Sequence, residues 1–229
     1  MKIGGLQKIS LIDYPGLICA NVFLQGCNFK CSYCHNPELV NPRLFQPCLK
    51  EKEVLDFLKE RRGKLDGVTI TGGEPTIQND LAPFVKKIKK LGFVVKLDTN
   101  GSQPQVIKAL LDEKLLDFIA MDIKGPLEKY ESIVAATVDC KEIEESIRII
   151  LKSQIPHEFR TTIVQSQLTL KDIFKIAKLI SGAKRYALQK YIPGKTLDNK
   201  FGEEKTYSED ELGKMKKRLE KEVSSVVIR

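Results

Sequence analysis

The chain has 229 residues, 42% of them hydrophobic, with 38 Lys and Arg against 30 Asp and Glu for a formal net charge of +8. This suffices for one substantial core in the size range of a single α/β domain. No run of about 18 apolar residues is present to cross a membrane, and Met1-Lys2-Ile3-Gly4-Gly5 lacks the apolar core of a secretory signal.

A cytoplasmic chain with no membrane partner is therefore expected. Charged residues of both signs make up 30% of the chain, which describes solvated helix faces. No nucleic-acid motif accompanies the basic excess, so no nucleic-acid partner is expected. The basic residues Lys214, Lys216, Lys217, Arg218 and Lys221 fall on one predicted helix, where a solvated face explains them better than steering of an acidic partner. Three of the six cysteines crowd into residues 27–34 while Cys19, Cys48 and Cys140 stand apart. That is not a secreted disulfide framework, and it fits a reducing compartment.

In chain order, β-rich runs at 18–24, 67–71, 93–98, 117–122, 158–164 and 185–189 alternate with helical runs. Helices are expected at 51–62, 104–113 with Pro104 in the first turn, 141–152, and 171–180 before Gly182. Leu81, Phe84, Val85, Ile88 and Leu91 recur at helical spacing and stop at Gly92. A last helix is expected at about 208–222, opened by a capping box of Ser208 and Glu211, with a further short strand at 226–228. Six strands each followed by a helix imply a parallel sheet, either doubly wound or curled into part of a (β/α) barrel. Periodicity leaves both open.

The first predicted strand leads into a loop, 25–40, that holds Cys27, Cys31 and Cys34 at the spacing Cys-x3-Cys-x2-Cys. Three thiolates can hold three irons of a cubane and leave the fourth open to a small molecule. A closed zinc site would need a fourth ligand, for which His35 beside Cys34 is awkward and Cys19 or Cys48 is the alternative. Cys31-x-x-Cys34 alone would suit a redox pair, but the third cysteine argues against it. Cys19, Cys48 and Cys140 lack ligand spacing and are read as core or surface thiols.

Further polar segments end the following strands: Thr71-Gly72-Gly73-Glu74-Pro75, then Asp98-Thr99-Asn100-Gly101, then Met121-Asp122-Ile123-Lys124. Glycines there let backbone groups approach a ligand. A carboxylate at a buried strand end must be hydrogen-bonded, paired or bound to a cation; turn capping is the plainer alternative for Asp98. Arg160 and Thr162 lie in the fifth predicted strand and Gln189 near the end of the sixth, and all three could project into the same space. A surface ion pair is the alternative for Arg160. Ends of parallel strands share one face, where ligands of such folds gather.

The cysteine spacing, with Tyr33 before the last cysteine, resembles the signature of the radical S-adenosylmethionine superfamily, and Gly72-Gly73-Glu74-Pro75 its GGEP motif. The resemblance implies a single-domain partial (β/α)6 barrel over 1–229, a 4Fe–4S cluster on Cys27, Cys31 and Cys34, and S-adenosylmethionine bound at the open iron. Gly72, Gly73 and Glu74 would address its ammonium, with Asp98, Asn100, Lys124, Arg160 and Gln189 completing the expected cofactor site.

Asp-Thr-Asn-Gly and Asp-x-Lys are similar to segments of glycyl-radical-enzyme activases, which implies a monovalent cation at Asp98, Thr99 and Asp122. Residues 5–16, 34–39 and 191–198 resemble anaerobic ribonucleoside-triphosphate reductase activating proteins. That likeness implies an oxidoreductase that makes a glycyl radical on a partner, an anaerobic ribonucleotide reductase, with a flavodoxin or ferredoxin-type protein as electron donor. The alternatives are a radical enzyme acting on another peptide or a small metabolite, and an iron–sulfur electron carrier, which would have no use for the Gly-Gly-Glu and Asp-x-Lys strand ends.

Overall fold

Strand and helix alternate along the chain much as the period of the apolar residues dictates, in a computed structural model that describes all 229 residues. The strands follow one another in chain order, β1 to β8, in an eight-stranded sheet. Six of them, β2 to β7, are each followed by a helix, the order that a partial (β/α)6 barrel requires. No helix is long and apolar enough to cross a membrane. The chain forms two compact units, one of Met1–Asn28, Asn36–Thr99 and Gln105–Ile119, the other of Phe29–His35, Asn100–Pro104 and Ala120–Arg229.

In the first unit β1 (Ile3–Ser10) runs antiparallel to β2 (Cys19–Leu24), pairing Ile3 with Leu24 and Ser10 with Cys19. β2 is parallel to β3 (Gly67–Gly72), and β3 to β4 (Val94–Thr99). Alternation divides these strands into two faces. Ala20, Val68 and Val95 share a register row, as do Val22, Ile70 and Leu97, and all six are fully buried. The other face carries the row Asn21, Thr69 and Lys96, which is polar yet equally buried. The helices of this unit are α1 (Pro37–Val40), α2 (Glu51–Glu60), α3 (Leu81–Lys90) and α4 (Pro104–Asp112), whose first residue falls in the other unit. Leu58 of α2 and Phe84, Val85 and Ile88 of α3 are buried on their apolar stripes.

β1 escapes the sequence pattern. Gly4-Gly5 and Lys8 interrupt its alternation, and register shifts fall between Ile3 and Gly5 and between Gln7 and Ser10. The first end of the sheet tolerates exposed Gln7 and Lys8, because an edge strand buries little. α2 stops at Glu60, two residues short of the expected end, where Arg61 caps it before Gly63 turns the chain at φ +73°.

β5 (Phe118–Asp122) passes from the first unit into the second. The second unit continues with α5 (Tyr130–Val134), α6 (Cys140–Lys152), β6 (His157–Ile163), α7 (Leu170–Leu179), β7 (Tyr186–Lys190), α8 (Glu209–Leu219) and β8 (Val226–Ile228). β6 and β7 are parallel, as are β7 and β8, which bears out the short terminal strand. Ser208 and Glu211 form the expected capping box. Thr169 and Asp172 form a second one, at the start of α7. α8 ends at Leu219, short of 222. α5 is too short to leave a helical period in the sequence.

Candidate functional site

In the first unit, the turn after β3 is stitched to the start of the cysteine loop. Gly73 N donates to Leu24 O at 2.7 Å and Glu74 N to Gly26 O at 2.8 Å, while Gly26 N donates to Leu39 O at 2.8 Å. The close approach demands glycine: Gly72 sits at φ +110°, and a Cβ on Gly73 would come within 2.0 Å of Gly26 O. These bonds use N–H groups, whereas an ammonium is itself a donor and addresses carbonyls.

Glu74 has no exposed surface. Its Oε1 accepts from Thr76 N at 3.0 Å, Thr76 Oγ1 at 2.6 Å and Thr99 Oγ1 at 2.7 Å. Thr99, which the resemblance assigns to a cation, thus donates its hydroxyl to Glu74. Beside it on β4, Asp98 is ion-paired with Lys96, and both are buried. Lys96 and Thr76 belong to none of the polar motifs in the sequence, although the strand period already puts Lys96 on the face of Asp98.

In the second unit, Cys31 is buried and Cys34 half-buried, joined by a bond from Cys34 N to Cys31 O at 2.9 Å. Lys30 N donates to Val134 O at 2.8 Å, and the Phe29 ring meets Tyr130 edge-on at 6.2 Å. Burial pushes the Cys31 thiol up, and the nearby Lys124 ammonium opposes it. Burial likewise raises the Tyr33 phenol, whose buried hydroxyl has no protein partner.

Asp122, at the end of β5, accepts from Arg160 Nε at 2.7 Å and from Lys124 Nζ at 3.1 Å. Burial alone would raise its carboxyl, but the charges of Arg160 and then Lys124 outweigh that and hold it well below the usual range. Arg160 is therefore partnered inside the unit, not on an exposed surface pair. Asn100 is buried, and its Oδ1 accepts from Ser102 N at 2.9 Å, a turn-capping bond.

The segment after β7 binds the cysteine loop in the same unit. Leu197 N donates to Cys34 O at 2.9 Å and Asp198 N to Ser32 O at 3.0 Å. His35 Nε2 lies 2.9 Å from Ile192 O, and its ring stacks on Tyr191 at 5.2 Å and 19°. His35, Thr162, Gln189 and Ile192 line a cavity of about 450 Å³. Gln189 and Thr162 thus share a site, as their strand positions suggest. No local signal in the sequence reveals the pairing of 197–198 with 32–34.

The remaining thiols stand apart. Cys19 is buried beside Asn21 and Thr69, Cys48 is exposed with its thiol 3.4 Å from Gln25 Oε1, and Cys140 donates to Leu127 O at 3.6 Å. No group of three or more His, Cys, Asp or Glu side chains is set to hold a metal ion. The donors suited to iron by chemistry are the thiols of the cysteine loop.

A family model, the Radical SAM superfamily, matches residues 21–180. A protein of Methanocaldococcus jannaschii, provisionally named a glycyl-radical enzyme activating enzyme, is 36% identical over 233 residues, covering 99% of this chain and 95% of that protein. The pyruvate formate-lyase-activating enzyme of Clostridium pasteurianum is 29% identical, with 83% and 82% covered. Among solved structures, Streptococcus suis SuiB bound to S-adenosylmethionine matches with a TM-score of 0.67 at 14% identity, over 89% of this chain and 48% of SuiB. The chain thus spans about half the length of SuiB, and a likeness at that identity speaks for the fold alone. Membership of the superfamily implies a 4Fe–4S cluster and S-adenosylmethionine. The chain belongs to the radical S-adenosylmethionine superfamily and, within it, to the glycyl-radical enzyme activating enzymes.

Proposed function

We propose that this chain is an oxidoreductase that cleaves S-adenosylmethionine reductively and leaves a glycyl radical on a partner enzyme, an anaerobic ribonucleotide reductase. The observation that carries the reading is the likeness to an activating enzyme along 99% of the chain. Likeness of residues 5–16, 34–39 and 191–198 to reductase-activating proteins supports the choice of partner. The work belongs to a reducing cytoplasm, with a flavodoxin or ferredoxin-type protein as electron donor, and no disulfide joins any of the six cysteines.

Cys27, Cys31 and Cys34 would hold the cluster, which supplies the electron that splits the sulfonium of S-adenosylmethionine. Gly72, Gly73 and Glu74 would turn backbone groups to the methionyl end, held in place by the bonds to Leu24 and Gly26. Lys124 and Arg160, both ion-paired with Asp122, would offer positive charge to the cofactor carboxylate. Gln189 lines the cavity beside His35 and would meet the adenosyl half. Asn100 shapes the turn after β4.

The test is anaerobic incubation of the reconstituted, reduced chain with S-adenosylmethionine and the reductase, followed by electron paramagnetic resonance. A glycine-centred doublet on the reductase, and cleavage there by oxygen, is the expected outcome. Vigorous cofactor cleavage with no such signal on any glycyl radical enzyme would transfer the assignment to a peptide or metabolite substrate.

A further inference from the structure

Lys96 is a lysine where a strand interior favours an apolar residue. It sits in the middle of β4, its side chain 1% exposed, on the face it shares with Asp98 two residues on. Its backbone is in register with Thr69, and Thr69 with Asn21, so it belongs to the buried polar row of the first unit. The ammonium is ion-paired with Asp98 Oδ1 and lies 5.9 Å from the Phe118 ring centroid, a cation–π distance.

A buried pair of this kind contributes little net stability, because desolvation of both ions offsets their attraction, and apolar residues of similar volume serve a core at least as well. The pair therefore calls for a role that needs the charge. Asp98 is the carboxylate for which the resemblance implies an exchangeable monovalent ion. The donor set does not fit that ion. Asp98 already holds an ammonium and Asp122 has cations of its own in Arg160 and Lys124, so both carboxylates are already charge-compensated, and the Thr99 hydroxyl, which donates to Glu74, has only neutral lone pairs to offer.

We propose that Lys96 is the resident cation of this site: its ammonium supplies at Asp98 the positive charge that an exchangeable ion would otherwise bring, so that this chain binds S-adenosylmethionine without sodium or potassium. Lys96 is a positioning residue, acting through Asp98. The inference rests on the proposed binding of S-adenosylmethionine. It departs from the monovalent site that the resemblance implies, and it predicts that an ion enters only when the ammonium is removed.

The experiment compares the parent chain with Lys96→Met in chloride salts of sodium, potassium and choline at one ionic strength. S-Adenosylmethionine affinity is measured on the reconstituted protein by anaerobic equilibrium dialysis, and thermal unfolding on the chain without cluster. For the parent, affinity should agree within about twofold among the salts and the unfolding midpoint should not change, since coupling to a bound ion moves affinity by roughly fivefold or more. Lys96→Met should bind weakly in choline, recover about fivefold or more in sodium or potassium, and unfold at a higher temperature in those salts.

A parent whose affinity rises fivefold on exchanging choline for sodium or potassium, or whose midpoint rises specifically with them, overturns the proposal. Should Lys96→Met fail to fold, the parent series alone decides. Absence of S-adenosylmethionine binding in every salt would sink the underlying functional reading and the cofactor role with it, while the unfolding series would still judge whether Lys96 is the resident cation.

Discussion

Arg160 Nε donates to Asp122 Oδ1 at 2.7 Å, so the arginine in β6 is fixed by the carboxylate that ends β5. Ile123 N donates to Arg160 O at 2.8 Å, adding a backbone bond alongside the ion pair. Lys124 takes the other carboxylate oxygen. Asp122→Asn keeps the shape and loses the charge, leaving two cations without their shared anion. Loss of about 2 kcal/mol of stability is expected at neutral pH, the scale of a hydrogen bond to a charged group, together with weaker S-adenosylmethionine binding and an intact cluster.

The pH dependence follows from the sign of the shift. The Asp122 carboxyl is held below its usual value in the folded chain despite its burial, by Arg160 and Lys124. Its contribution is therefore complete above the unfolded carboxylate value of about 3.9 and is lost as pH falls through the lower folded value. The gap in urea midpoint between parent and Asp122→Asn should be constant from about pH 5 to 8 and narrow below about pH 4. A gap that widens in acid would show that the pair does not hold Asp122 ionised.

The cysteines divide by position. Cys27→Ala, Cys31→Ala or Cys34→Ala should prevent stable cluster assembly, because only these three share one loop at ligand spacing. Cys19→Ala, Cys48→Ala and Cys140→Ala should retain it, since their thiols bond within the protein to Asn21, Gln25 and Leu127. Iron and sulfide analysis under strict anaerobiosis measures both sets, and a full complement in Cys31→Ala would refute the assignment.

Local chemistry is what the sequence makes legible. The cysteine loop, the Gly-Gly-Glu turn and the α8 capping box are each written within a few residues, and the strands β3 and β4 are bounded to within a residue by their buried runs. β1 is hidden because Gly4-Gly5 and the exposed Gln7 and Lys8 carry no period. Long-range pairing is hidden for another reason. That Thr99 bonds Glu74 across 25 residues, or that Leu197 bonds Cys34, depends on the turns between them. Lys96 lies between these cases: its place on the face of Asp98 follows from the strand period, but its burial does not, since a lysine in a strand reads as a solvent-facing residue.

Thr99→Val tests the hydroxyl that reaches Glu74. The swap preserves shape and β-branching and removes one donor from a fully buried carboxylate. A loss of about 1 kcal/mol in the chain without cluster or added ion is expected, measured by urea unfolding. If the hydroxyl served only an exchangeable cation, stability without that ion would not change.

Gly73→Ala tests whether the turn after β3 sets the entrance to the cysteine loop. A Cβ at Gly73 would lie 2.0 Å from Gly26 O and 2.6 Å from Gly26 C, and these are backbone atoms that no rotamer change can move. The bond from Glu74 N to Gly26 O at 2.8 Å must then lengthen or break, shifting the residue just before Cys27. The expected result is a loss of about 2 kcal/mol or more, typical of a steric conflict in a packed site, with impaired cluster assembly. Gly213→Ala provides the comparison. Gly213 lies inside α8 with nothing within 4 Å of an added Cβ, so alanine should stabilise the chain by about 0.5 to 1 kcal/mol through helix propensity and reduced freedom of the unfolded chain. Denaturant midpoints moving in opposite directions for the two glycines, with cluster content falling only for Gly73→Ala, would establish that the backbone approach of Gly73 to Gly26 positions the loop. Equal cluster content in both variants would remove that role from the turn.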